Sequence, residues 1–162
     1  MHERLVRKNQ ELELLITDMA FGGVGIGKIQ TEKGDFTVFV QNAIPGQRVL
    51  ARVDKAQKRY AECKLVEVLQ PSPDEVVIPY QAIPGAPYAT LPIELQRSYK
   101  RRTTLELFKR IGKIENVESL LDEYIASPAD WHYRNKMEYA FSVRSEEHTS
   151  ELQSRQYLVC RL

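Results

Sequence analysis

Hydrophobic and polar residues alternate from Leu12 onward. Leu12, Leu14 and Ile16 share one parity, against Glu11, Glu13 and Thr17. A period of two is that of a strand with one wet face. A second apolar run passes through Ile26 and Ile29, and Glu32-Lys33-Gly34-Asp35 has hairpin-turn composition. Phe36 to Val40 reads as a third strand, followed by the Pro-Gly loop Asn42-Ala43-Ile44-Pro45-Gly46. In the fourth, Val49, Ala51 and Val53 alternate with Leu50, Arg52 and Asp54, which places Arg48 and Arg52 on the outer side. Ala61 to Val68 is the fifth.

Five strands in under sixty residues, with no helical pattern between them, predict a small antiparallel barrel of the OB type. Between the first two runs lies Phe21-Gly22-Gly23-Val24-Gly25-Ile26-Gly27, with four glycines in six residues. So many glycines in strand-like surroundings imply positive φ, a bend or a close approach. They are expected to let one long strand curl and join both sides of the closure. A phosphate-binding loop is the competing reading. The order lacks both G-x-G-x-x-G and a Walker lysine, and a strand follows it rather than a helix. A unit of this size buries only ~60% of its unfolded surface and gains from a neighbour.

Pro71-Ser72-Pro73 ends the alternation, so the barrel is assigned to 10–70 behind a tail over 1–9. Residues 71–91 read as a Pro/Gly-rich linker. A helix is expected from Pro92, with Thr90 as N-cap and Gly112 as its stop. Its apolar face comprises Ile93, Leu95, Tyr99, Leu105, Phe108 and Ile111. Short strands are expected at Tyr124-Ile125-Ala126 and from Lys136 to Val143, so 92–143 begins an α+β unit.

Composition narrows the function little. The 162 residues carry a net charge of +1, so only local clustering can indicate a nucleic acid. No run is long enough for a membrane span, and Met1 to Gln10 is too polar for a secretory signal. Cys63 and Cys160 form no metal-ligand spacing, and Cys63 lies in an apolar pattern as a small buried thiol. The cytoplasm is the default compartment.

Met19-Ala20-Phe21-Gly22-Gly23-Val24-Gly25 and Ile44-Pro45-Gly46-Gln47-Arg48-Val49, with the basic stretch before the fifth strand, resemble a TRAM domain, an OB-like RNA-binding module. Further along, Gln96, Tyr99-Lys100, Arg102, Ile111-Gly112 and Ser127-Pro128-x-x-Trp131-x-Tyr133-Arg134-Asn135-Lys136-Met137-Glu138 resemble the 23S rRNA uracil-5-methyltransferase family. The resemblance covers about residues 10 to 143. It implies a parent enzyme that uses S-adenosylmethionine. In that family a cysteine attacks uracil C6, C5 takes the methyl group, and a base removes the C5 proton. The cofactor domain, nucleophile and base would all lie beyond this chain, so the chain alone is expected to be inactive. Many members hold an iron–sulfur cluster on four cysteines between barrel and helix. Ile78 to Tyr88 contains no cysteine, so no such cluster is expected.

The candidate RNA-binding residues are Phe21, Lys28, Arg48, Arg52, Lys55, Lys58, Arg59 and Tyr60 on the barrel. Lys64 extends this basic set, and Lys55, Lys58 and Arg59 are expected to crowd the loop before the fifth strand. The resemblance adds Arg134, Asn135 and Lys136, the motif that lies near the target base in the family. Trp131, Tyr133, Met137, Tyr139 and Phe141 read as core, and the basic residues of the helix mostly as a solvated face. The expected partner is RNA, rRNA rather than tRNA, with no DNA or membrane, and the chain a monomer. The alternative is a stand-alone RNA-binding module without catalysis. A TRAM-bearing radical tRNA-modifying enzyme would need a Cys-x-x-x-Cys-x-x-Cys motif, which is absent.

Residues 144–162 stand apart. Arg144 to Ser154 and Leu158 to Leu162 resemble two constant segments of a sequencing adapter translated in one frame, with Arg155-Gln156-Tyr157 over its variable barcode. This tail is expected to be non-native, leaving His148 and Cys160 without an evolved role.

Overall fold

A computed structural model describes residues 5–32, 34–78 and 86–129. Five strands form a closed barrel: β1 (Glu11–Ala20), β2 (Val24–Thr31), β3 (Gly34–Gln41), β4 (Arg48–Ala56) and β5 (Tyr60–Gln70), in the order β1-β2-β3-β5-β4. The ladders are antiparallel except between β3 and β5, which run parallel. The closed five-stranded barrel is the expected one, with β3–β5 the one parallel pair in an otherwise antiparallel sheet. After the loop over 42–47 and the β4–β5 hairpin, β5 runs in the same direction as β3.

Closure falls to β1 rather than to a glycine-curled β2. Glu11–Leu15 pair with β4, Ile16–Ala20 pair with β2, and the register shifts between Ile16 and Asp18. A bulge at that point bends the strand so that one segment serves two neighbours. It also resets the parity, so that Met19 joins Leu14 and Ile16 in being buried. The barrel interior is filled by Leu14, Ile16, Phe36, Val38, Val40, Val49, Ala51, Val53, Ala61 and Cys63.

The glycine cluster performs two local tasks. Gly22 and Gly23 have φ of +87° and +78°, so they turn the chain between β1 and β2. Gly25 lies on the inner face of β2, where a Cβ would stand 2.7 Å from the carbonyl oxygen of Ala43. No side chain fits between that strand and the loop crossing it.

After the barrel come α1 (Ile93–Arg110) and the short α2 (Val117–Leu120), which the alternation pattern does not predict. Helix α1 starts behind Pro92 with no side-chain cap, so Thr90 is not the N-cap. Gln96 instead donates its Nε2–H to the Leu91 carbonyl at 2.8 Å. Gly112 follows the C-cap Ile111 as expected, while the left-handed residue beyond it is Lys113. Tyr124-Ile125-Ala126 is not a strand; no ladder partner for it exists among the described residues. Tyr80, Ile83, Trp131, Tyr133 and the strand expected over 136–143 lie outside the described residues, as does the tail over 144–162.

A second, smaller core joins the barrel to the helix. Met19, Ile44 and Leu91 are buried together, with Tyr88, Leu95 and Tyr99 packed against them. Of the expected apolar face, Leu95 and Tyr99 are used here, whereas Phe108 and Ile111 remain exposed. Gly23 belongs to the same seat: a Cβ there would come within 2.9 Å of Pro87 and Tyr88. The Arg102 guanidinium pairs with the Asp18 carboxylate and lies 5.0 Å from the centre of the Tyr99 ring. Below the seat, Gln47 accepts from the Ile44 N–H and donates to Glu75 Oε2, each at 3.0 Å. Glu75 in turn accepts from the Ser72 N–H at 3.2 Å, which ties the end of the barrel to the loop over 42–47.

Magnitudes rank these contacts. Truncating a buried leucine costs about 2–5 kcal/mol, whereas an ion pair between half-exposed groups contributes roughly 0–1 kcal/mol. Leu91→Ala should therefore release α1 from the barrel, detected as faster amide exchange along the helix in hydrogen-exchange mass spectrometry. Arg102→Ala should leave that exchange nearly unchanged. Burial pushes the Cys63 thiol from 9.0 up to about 11, with the negative charge of Asp54 adding to the effect. Its contribution to stability is complete below pH 9.0 and fades as the pH rises towards about 11. At pH 8 the peptide containing Cys63 should resist iodoacetamide until denaturant is added, as read by peptide mapping.

Candidate nucleic-acid interface

Strand parity decides which side chains of a barrel reach an outside partner. Val38 and Val40 face inward on β3, which turns Thr37, Phe39 and Gln41 out. On β2, inward Gly25 and Gly27 alternate with outward Ile26 and Lys28. On β4, Arg48, Leu50 and Arg52 face out opposite Val49, Ala51 and Val53, as the alternation predicts.

Reading across the ladders gives three outer tiers. One runs Lys28, Thr37, Tyr60; the next Ile26, Phe39, Glu62, Lys55; the third Gln41, Lys64, Arg52, Glu11. With neighbouring strands about 4.8 Å apart, a tier of four spans roughly 14 Å. The outer wall of β2, β3, β5 and β4 thus carries an apolar centre of Ile26, Phe39 and Tyr60. Lys28, Lys55, Lys64 and Arg52 surround it, and Lys58 and Arg59 lie exposed in the turn that leads into Tyr60.

Lys55 is in β4, not in the loop where the sequence places it. The register shift between Val53 and Lys55 makes Asp54 the extra residue. Lys55 therefore turns outward beside Glu62 instead of continuing the inward series. Its Nζ lies 3.0 Å from Glu62 Oε2, and this hydrogen bond and charge raise the lysine pKa above 10.5. Lys28 is likewise neutralised by Asp35 at 3.0 Å. Arg52, Lys58, Arg59 and Lys64 have no ion pair among the described residues. They are the cations with charge to spare for phosphates.

Two expected members fall outside this group. Arg48 starts β4, about 13 Å from Arg52 along the strand, and pairs with Glu13. Glu11, which also faces out on β1, lies opposite Arg52 rather than Arg48. Phe21 is 58% exposed but sits in the β1–β2 turn, on the side of the barrel that meets Pro87 and Tyr88. Arg134, Asn135 and Lys136 lie outside the described residues. Phe39 is not among the residues singled out from the sequence, although Phe36, Val38 and Val40 assign it the outer parity.

The glycine-rich stretch joins two antiparallel strands, and its Gly23 is covered by Pro87 and Tyr88. No group of three His, Cys, Asp or Glu stands ready for a metal among the described residues, and no helix there is long and apolar enough to cross a membrane. What this arrangement can do chemically is hold an anion chain against an aromatic wall.

Comparison with known proteins agrees with that reading. Residues 5–66 match the TRAM domain model, which covers the five strands except the end of β5. An uncharacterized RNA methyltransferase of Clostridium acetobutylicum is 39% identical over 85% of this chain and 29% of its own length. One of Listeria monocytogenes is 34% identical over 84% of this chain and likewise 29% of its own length. Among solved structures, a conserved protein of Methanococcus maripaludis is 35% identical, covering 38% of this chain and 83% of its own, with a TM-score of 0.34. The chain thus spans a little under a third of the curated relatives it matches. The closed barrel is the part that matches the TRAM domain family, and the chain as a whole is similar to a portion of proteins named as RNA methyltransferases.

Proposed function

We infer that this chain is the RNA-capturing part of an S-adenosylmethionine-dependent RNA methyltransferase that acts on C5 of a uridine, with 23S rRNA as its substrate. The observation that carries the reading is the placement of Arg52, Lys58, Arg59 and Lys64. They lie on or beside the β4–β5 hairpin and form no ion pair among the described residues, with Lys58 and Arg59 directly before the outward Tyr60. Cations neutralised by neighbouring carboxylates release few counterions when RNA binds; unpaired ones release about one per phosphate engaged. The barrel contributes affinity and position, and the methyl transfer belongs to parts of the parent protein beyond this chain. The relatives' names and the TRAM match support RNA as the partner. The uracil and rRNA assignments rest on the motif resemblance around Trp131 to Glu138.

Two measurements test this. Arg52→Ala combined with Lys58→Ala should weaken RNA binding and lower the slope of log K against log[KCl] by about 1.4, twice the ~0.7 per phosphate of single strands. An unchanged slope would show that these residues are merely solvated. Incubated with labelled S-adenosylmethionine and unmodified 23S rRNA, the chain should transfer no methyl group above background. Clear transfer would contradict the division of labour between capture and chemistry.

A further inference from the structure

Two carboxylates stand among the cations of the outer wall, and each engages a lysine. Asp35 Oδ2 accepts from Lys28 Nζ across the β2–β3 ladder, and Glu62 Oε2 accepts from Lys55 Nζ across the β4–β5 ladder, both at 3.0 Å. The second pair depends on the bulge in β4. Lys55 and Glu62 are register partners because Asp54 is the extra residue there. Asp54 also adds its negative charge beside the same lysine. Neither pair holds the barrel together. The four side chains are between 38% and 62% exposed, and ion pairs so exposed add little to stability. Their effect falls instead on what approaches the wall from outside.

An exposed pair opens easily, so pairing alone does not keep a phosphate away. What matters is the charge that stays behind. A phosphate that draws Lys28 or Lys55 from its partner comes to lie beside the freed carboxylate. It gains one attraction and one repulsion of similar size. Such a lysine adds little affinity and little counterion release. Were both lysines free, the positive field would run from Lys28 on β2 to Lys55 on β4, open to any polyanion. With both paired, the wall's cations without an ion pair among the described residues lie on β4, on β5 and in the turn between them. We propose that Asp35 and Glu62 are attenuators of RNA affinity, which withhold Lys28 and Lys55 from phosphates and so cap the barrel's sequence-independent hold on RNA. Such a cap suits a surface that must release its RNA once chemistry elsewhere in the parent protein is complete. The proposal rests on the RNA-binding reading above and deepens it by naming the residues that limit that surface.

The test uses the full chain with two labelled probes, a short RNA of fixed sequence and heparin, a polyanion without bases. Fluorescence anisotropy gives Kd over a series of KCl concentrations. Glu62→Gln, which keeps the side chain's shape, should steepen the slope of log K against log[KCl] for RNA by about 0.7 and tighten binding about five-fold at 0.1 M KCl. Asp35→Asn should do the same by releasing Lys28. Heparin should also bind more tightly to both variants, because the gain is one of charge alone. In a Lys55→Met background, Glu62→Gln should give little of its gain, since no lysine is left to release. The two pairs lie on different ladders, so either variant tests the proposal if the other fails to fold. Unchanged slopes in Glu62→Gln and Asp35→Asn overturn it. So does an equal gain from Glu62→Gln with and without Lys55, which would make Glu62 a general repellent of phosphate rather than a mask. If Arg52→Ala with Lys58→Ala still lowers the slope in either case, attenuation is wrong and RNA capture stands. If the wild-type chain binds RNA at none of the salt concentrations, both readings fail.

Discussion

Closure of the barrel through a single bent strand is the constraint on which the other features depend. β1 meets β4 with one half and β2 with the other, and the register shift between Ile16 and Asp18 makes this possible. Once the barrel is closed, every strand position is either inside or outside, and a shift of one residue exchanges the two. The apolar filling of Val38, Val40, Val49, Val53 and Cys63 therefore fixes the outward set as firmly as the inward one. Arg52, Lys64, Phe39 and Lys28 are displayed because their neighbours are buried. A second register shift at Asp54 swings Lys55 out to Glu62, which turns one prospective phosphate ligand into half of an ion pair.

The residues that make the chain resemble a TRAM domain are mostly not on the outer wall of the barrel. Met19, Gly23 and Ile44 form the seat for Tyr88, Leu91 and α1, and Gly25 admits the Ala43 carbonyl. Gln47 is buried and ties Ile44 to Glu75. Burying Met19, Ile44 and Leu91 gains on the order of 1.5–3 kcal/mol per side chain, a large share of what a small barrel can spare. The motif therefore records how the barrel is attached to the helix behind it. A surface that holds a flexible polyanion tolerates exchange of one cation for another, whereas a seat with a Cβ-sized tolerance does not.

How much of this is legible in the sequence depends on which interactions are local. The five strands and the outward placement of Arg48 and Arg52 come from alternation, a property of adjacent residues. The helix start near Pro92 is legible, but its cap is not, because the Gln96–Leu91 bond replaces a Thr90 cap. Tyr124 to Ala126 has strand composition but finds no ladder among the described residues, and strand propensity without a partner does not make a strand. The grouping of the cations is half legible. Lys58, Arg59 and Arg52 are near one another in sequence. The pairing of Arg48 with Glu13, which removes Arg48 from the set, spans thirty-five positions and exists only once β1 lies beside β4.

Charge arrangement, rather than charge amount, decides whether such a barrel attracts RNA. The chain as a whole is nearly neutral, and at physiological salt a surface charge is felt over only about 8 Å. A polyanion approaching the β1 side meets Glu13 paired with Arg48, and Glu11 opposite Arg52. Approaching the β5 side, it meets Lys64 and Arg52, which pair across the ladder, and Lys58 and Arg59 in the turn, while Lys28 and Lys55 are paired with Asp35 and Glu62. The carboxylates therefore shape the site as well as limiting it. They leave the cations that form no ion pair among the described residues on the β4–β5 hairpin and in the turn before Tyr60.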